Sequence, residues 1–86
     1  MPKFIGLHSL PGFTREMLSQ GGQTAAQMSV NILKIHGDTS TGRVICEVEA
    51  PNRETFVSWL NKINMPYEEV VKVEFEISMN AGGPGP

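Results

Sequence analysis

A single cysteine, Cys46, stands in a chain of 86 residues. It can form no intrachain disulfide and excludes a cysteine-based zinc site, which needs several thiolates. Aromatic residues are few, with four phenylalanines, one tryptophan and one tyrosine. No apolar run approaches the ~20 residues that cross a bilayer, and the start Met1-Pro2-Lys3-Phe4 lacks the charged region, apolar stretch and cleavage site of a secretory leader. A cytoplasmic protein is the expectation. Basic charge is also scarce: seven lysines and arginines face nine acidic residues, for a net charge of −2. Nucleic-acid binders carry a basic face, so none is expected here.

What is present is alternation. In Tyr67–Ser78 the odd positions Val71, Val73, Phe75 and Ile77 are apolar, and Lys72, Glu74 and Glu76 between them are charged. Successive side chains of a strand point to opposite faces, so this reads as a strand with one buried and one open face. Lys3–Leu10, Val30–His36 and Arg43–Ala50 read as three further strands, the last two joined by the turn formers of Gly37–Gly42 into a hairpin. Thr14 is a good N-cap, and Met17, Leu18, Gly21, Ala25 and Met28 recur at helical spacing, which predicts one helix over Thr14–Met28, weakened by Gly21-Gly22. Asn52 caps a second helix whose stripe is Phe56, Trp59, Leu60 and Ile63, stopped by Asn64-Met65-Pro66.

The order is βαββαβ. With right-handed crossovers it gives a ferredoxin-like α+β domain over residues 1–79, a four-stranded antiparallel sheet with two helices on one face. Residues 80–86, three glycines and two prolines with Asn80 and Ala81, read as a flexible tail.

Leu33, Ile35, Val44, Cys46, Val48, Val71, Val73, Phe75, Ile77, Ile5 and Leu7 are then expected to face the helices. The opposite face receives Phe4, Gly6, His8, Leu10, Ile32, Lys34, His36, Ile45, Glu47, Glu49, Lys72, Glu74 and Glu76. Apolar side chains among charges on an open face are most economically covered by a second subunit. The expectation is a homodimer packed sheet to sheet around a partly polar cavity that takes a small ligand or a metal ion.

In that cavity His8, Glu47 and Glu74 are the candidate polar groups, and Phe4 and Ile45 the apolar floor. A histidine beside a carboxylate serves as a general base or a metal ligand, so His8 is also the one candidate metal ligand and the candidate base of a cofactor-free enzyme. His36 fits a solvated turn, Cys46 a buried inert thiol, and Trp59 either a core residue or a stacking wall. A third possibility is a structural dimer whose sheet face is filled by its partner.

The strings Met1-Pro2-Lys3-Phe4-Ile5 with His8, Gly12-Phe13-Thr14-Arg15-Glu16, Gly42-Arg43-Val44-Ile45-Cys46-Glu47-Val48-Glu49-Ala50-Pro51 and Glu68-Glu69-Val70-Val71-Lys72-Val73 resemble small ferredoxin-like bacterial proteins that include a nickel-binding member. The resemblance covers roughly residues 1–77 and implies a dimeric α/β barrel. The family's helix histidines fall on Gly22, Leu60 and Asn64 here, and His8 alone matches, so an intact nickel site is not implied. The same barrel is similar to the antibiotic-biosynthesis monooxygenase and muconolactone-isomerase group, which encloses small organic ligands.

Overall fold

The computed structural model describes residues 1–79; the expected tail, 80–86, lies outside them. Strand β1 (Lys3–Ser9) is followed by helix α1 (Arg15–Gly22), strands β2 (Asn31–Asp38) and β3 (Arg43–Glu49), helix α2 (Arg53–Lys62) and strand β4 (Glu69–Val73). The sheet order is β2-β3-β1-β4 with every pair antiparallel. This is the ferredoxin-like βαββαβ fold.

Both helix starts follow from their caps. Thr14 accepts from the Met17 amide at 3.1 Å, and Asn52 from the Thr55 amide at 2.8 Å, which satisfies amides that a helix start leaves without a partner. Helix α2 supplies Phe56, Trp59 and Leu60 to the core, where they meet Phe4, Cys46, Val48 and Ala50. It ends through Asn64, whose φ of 56° belongs to the left-handed region that asparagine tolerates. Helix α1 departs from the sequence expectation. It stops at Gly22, and a turn plus a short 3-10 segment, Ala26–Met28, completes the crossover. Two adjacent glycines withdraw the side-chain packing and backbone stiffness that would have carried the helix through.

Two strands face the other way from the sequence reading. In β1, Phe4, Gly6 and His8 are buried under the helices while Ile5 and Leu7 are only partly covered. The register pairs Gly6 with Cys46 and His8 with Val44, and opposite residues share a face. In β4 the residue opposite Gly6 is Val70, which packs against the core, whereas Val71, opposite Ile5, lies on the open side. Strand β2 carries a bulge between Ile32 and Lys34. An extra residue shifts the alternation, so Ile32 packs against the core and Leu33 is exposed. Strand β4 ends at Val73, five residues before the expected Ser78.

Candidate functional site

The inward turn of β1 puts His8 beneath the helices, where it is 1% exposed. Gly6 explains how it fits. A Cβ there would stand 2.6 Å from His8 Nε2 and 3.0 Å from Cys46 Sγ, so only glycine leaves room for the imidazole to reach diagonally across to Cys46. The ring is held at both nitrogens. Nδ1 lies 2.8 Å from the Pro66 carbonyl oxygen, and Nε2 lies 3.0 Å from Cys46 Sγ. A carbonyl only accepts, so Nδ1 carries the proton, and Nε2 accepts from the Cys46 thiol.

Burial disfavours charge on either partner. It holds His8 below the ordinary 6.5, against the opposing pull of the Pro66 carbonyl. It pushes the Cys46 thiol up to about 11, despite backbone hydrogen bonds at Gly6 and Cys46. The pair is a neutral imidazole and a neutral thiol near pH 7. That arrangement positions a base beside a sulfur without generating a resting thiolate.

Cys46 also forms part of the wall of a cavity of about 160 Å³. Met17, Leu18, Gly21 and Gly22 of α1 line one side, and Trp59, Leu60 and Ile63 of α2 with Asn64 and Met65 line another. The sheet contributes Ile35, Val44 and Cys46, with Leu10 at the β1 end. The space arises where α1 runs out in two glycines and leaves no side chains to meet α2. Trp59 forms its wall in a fixed orientation, because its indole N–H donates to Thr24 Oγ1 at 3.0 Å and its ring stacks on Phe56 at 6.2 Å. The Gly21-Gly22 pair is therefore both the end of the helix and the rim of the cavity.

The five residues expected to share one site are divided between three places. Phe4 and His8 are inside, Phe4 against Phe56 at 6.3 Å between ring centres. Ile45 and Glu47 are on the open face, and Glu74 lies beyond the end of β4. The physical reason is the phase of β1: either alternate set, Phe4/His8 or Ile5/Leu7, offers apolar side chains, and the larger one fills the core. Glu47 meets His36 Nε2 at 3.0 Å and Lys3 Nζ at 3.9 Å. The hydrogen bond from His36, reinforced by the charges of Lys34 and Lys3, holds its carboxyl below the ordinary range. No group of three or more His, Cys, Asp or Glu side chains among the described residues converges to hold a metal ion. His8, the candidate ligand, has both nitrogens engaged. Nor is any helix among those residues long and apolar enough to cross a membrane.

Sequence reasoning placed Cys46 in the interior but did not connect it to His8. The signal was Gly6 opposite Cys46 once β1 is set beside β3, a gap that only a neighbouring side chain can fill.

No protein-family model matches the chain, and no curated protein matches it. Among solved structures it is similar to SCO4226 from Streptomyces coelicolor A3(2), with 20% identity and a TM-score of 0.76. The match covers 87% of this chain and 99% of that one. The likeness establishes a shared fold.

Proposed function

We propose that this protein is a small-molecule-binding domain that holds a largely apolar ligand of single-ring size between its helices and its sheet. The cavity beside Cys46 carries the reading. Its volume of about 160 Å³ is close to that of engineered apolar cavities of roughly 150 Å³ that take up benzene. Aliphatic side chains and Trp59 would bury the ring, and Cys46 and Asn64 are the side chains on the wall that offer a polar contact. An organic ligand suits this wall better than a metal ion, because the imidazole nearest to it has no free nitrogen.

The test is a thermal-shift titration with p-cresol on the wild type and on Gly21→Leu. A Cβ at Gly21 meets only Ile63 Cδ1, at 3.4 Å, so leucine enters the cavity and also favours the helix. At ten times its dissociation constant the probe adds about 1.4 kcal/mol, and each kcal/mol moves the midpoint of a domain this size by roughly 4–8 °C. A rise in the wild type that disappears in Gly21→Leu supports the reading; equal responses, or none, reject it.

A cofactor-free enzyme is the second reading. The tautomer fixed by Pro66 directs the His8 Nε2 lone pair at the sulfur on the cavity wall. A pH–rate profile on an accepted ligand that vanishes in His8→Gln would favour it over passive binding.

The domain is further proposed to work as a homodimer packed through its open sheet face. There Ile5, Leu7, Ile45, Val71 and Val73 form an apolar patch, with Ile45 and Val71 about 40% exposed. Around it Lys3, His36, Glu47, Asn31 and Glu49 already satisfy one another. A patch with its neighbouring charges paired suits a second apolar face. Light scattering at micromolar concentration should give twice the chain mass, and Ile45→Asp should halve it; a monomeric wild type overturns the proposal.

A further inference from the structure

A buried thiol bonded to a buried imidazole is more than the wall of an apolar cavity needs. A nucleophile in contact with a base, and a third group that orients the base, is the arrangement that activates side chains for covalent chemistry. All three parts are present. Cys46 Sγ lies 3.0 Å from His8 Nε2, and His8 Nδ1 lies 2.8 Å from the Pro66 carbonyl oxygen, which fixes the tautomer that leaves Nε2 as the acceptor. Glycine at position 6 keeps the contact open, since a Cβ there would press on both partners. Among the described residues Cys46 lines the cavity and His8 does not, so a ligand meets the sulfur rather than the ring.

The surroundings select the reaction. Burial keeps thiol and imidazole neutral near pH 7, and a mainly apolar wall penalises any ion left behind. Displacement of a leaving group would strand an imidazolium and an anion there. Addition across a double bond strands neither, because the thiol proton ends on the adduct. The space of about 160 Å³ admits a single ring.

We propose that Cys46, with His8 as its base, covalently captures conjugated enones of single-ring size. The inference rests on the ligand-binding reading of this cavity and names the chemical class it takes. Cys46 Sγ bonds to the β-carbon of the enone as its proton passes to His8 Nε2. The π pair of the carbon–carbon double bond moves toward the carbonyl oxygen as an enolate, and the Nε2 proton then goes to the α-carbon. The outcome is a thioether, a saturated ketone and a neutral imidazole, with no oxidant and no leaving group. Asn64, on the α2 side of the wall, offers an amide donor to the oxygen while it carries charge.

The experiment treats full-length wild type, Cys46→Ala, His8→Gln and Gly21→Leu with 2-cyclohexen-1-one near pH 7 and follows the intact mass, with p-cresol as competitor. The chain has one cysteine, so the site of addition is read directly. The expected result is one adduct per chain, absent in Cys46→Ala, that forms at least about tenfold faster in the native protein than in urea. Iodoacetamide, which expels iodide, should show the reverse preference. His8→Gln should lose about a hundredfold or more, p-cresol should slow the addition, and Gly21→Leu should block it. The comparison of native with unfolded wild type decides the matter even where His8→Gln fails to fold. Addition no faster in the native protein than in urea, while p-cresol still raises the wild-type midpoint, would overturn covalent capture and leave the binding reading standing. An unchanged rate in a folded His8→Gln would overturn the part given to His8. Neither adduct nor p-cresol response would overturn both readings.

Discussion

Replacing Gly6 by alanine is the sharpest perturbation of the inner site. The new methyl would sit 2.6 Å from His8 Nε2 and 3.0 Å from Cys46 Sγ, roughly 1 Å inside the ~3.5 Å at which such atoms attract. The imidazole cannot swing aside freely. It is tied at 2.8 Å to Pro66 and at 3.0 Å to Cys46, and retreat stretches at least one of those bonds. Overpacking costs about 1–3 kcal/mol, and a weakened hydrogen bond about 0.5–1.5 more. The stiffer unfolded chain returns about 0.4–1 kcal/mol. The net loss should be about 1–3 kcal/mol, a fall in midpoint of roughly 5–20 °C at about 4–8 °C per kcal/mol. Thermal unfolding followed by circular dichroism reads it directly. In a Cys46→Ala background the ring can move into the space left by the sulfur, so the same substitution should cost at least about 0.5 kcal/mol less. An unchanged or raised midpoint for Gly6→Ala would refute the packing argument, and full additivity in the double variant would refute the coupling of His8 to Cys46.

Three other consequences follow from the same geometry. His8 is held below 6.5 by burial, so the unfolded chain takes up its proton first. Stability should therefore be level above about pH 6.5 and fall as the pH drops below it, by at most about 1.4 kcal/mol per unit; urea midpoints from pH 8 to 5 should lose that slope in His8→Leu, and an unaltered slope would assign it elsewhere. With its thiol pushed to about 11, native Cys46 should react with iodoacetamide at pH 8 roughly two orders of magnitude more slowly than in urea, and comparable rates would contradict the neutral pair. Asn52 accepts from both the Thr55 amide and the Thr55 hydroxyl at 2.8 Å, so Asn52→Ala should cost about 0.5–2 kcal/mol in urea unfolding, whereas an unchanged midpoint would deny the cap its role.

The element order was legible in the sequence because it rests on strong local signals: the Thr14 and Asn52 caps, the Phe56-Trp59-Leu60 stripe and the turn residues of the hairpin. The facing of the strands was not. Phe4-Ile5-Gly6-Leu7-His8 offers apolar side chains at both alternate sets, and the set containing histidine and glycine looks polar until Cys46 is placed opposite Gly6. The regular Val71-Val73-Phe75-Ile77 series misled for a different reason: β4 turns Val70 to the core and Val71 to the open side. The clearest alternation in the chain marks a surface its own helices leave uncovered. One extra residue in β2 likewise moved Ile32 inside, a shift no periodicity count detects. The cavity was hidden in the same way. Gly21-Gly22 was visible as a weak point of a helix, but the space it leaves against Ile63 and Trp59 depends on how the two helices sit over the sheet.

The most direct test of the account is a methyl-resolved NMR titration of the wild type with p-cresol. Saturable shifts at Leu18, Val44, Leu60 and Ile63, absent in Gly21→Leu, are the predicted result. Shifts confined to Ile5, Ile45 and Val71 would instead put the ligand on the open sheet face and contradict the assignment of the inner cavity.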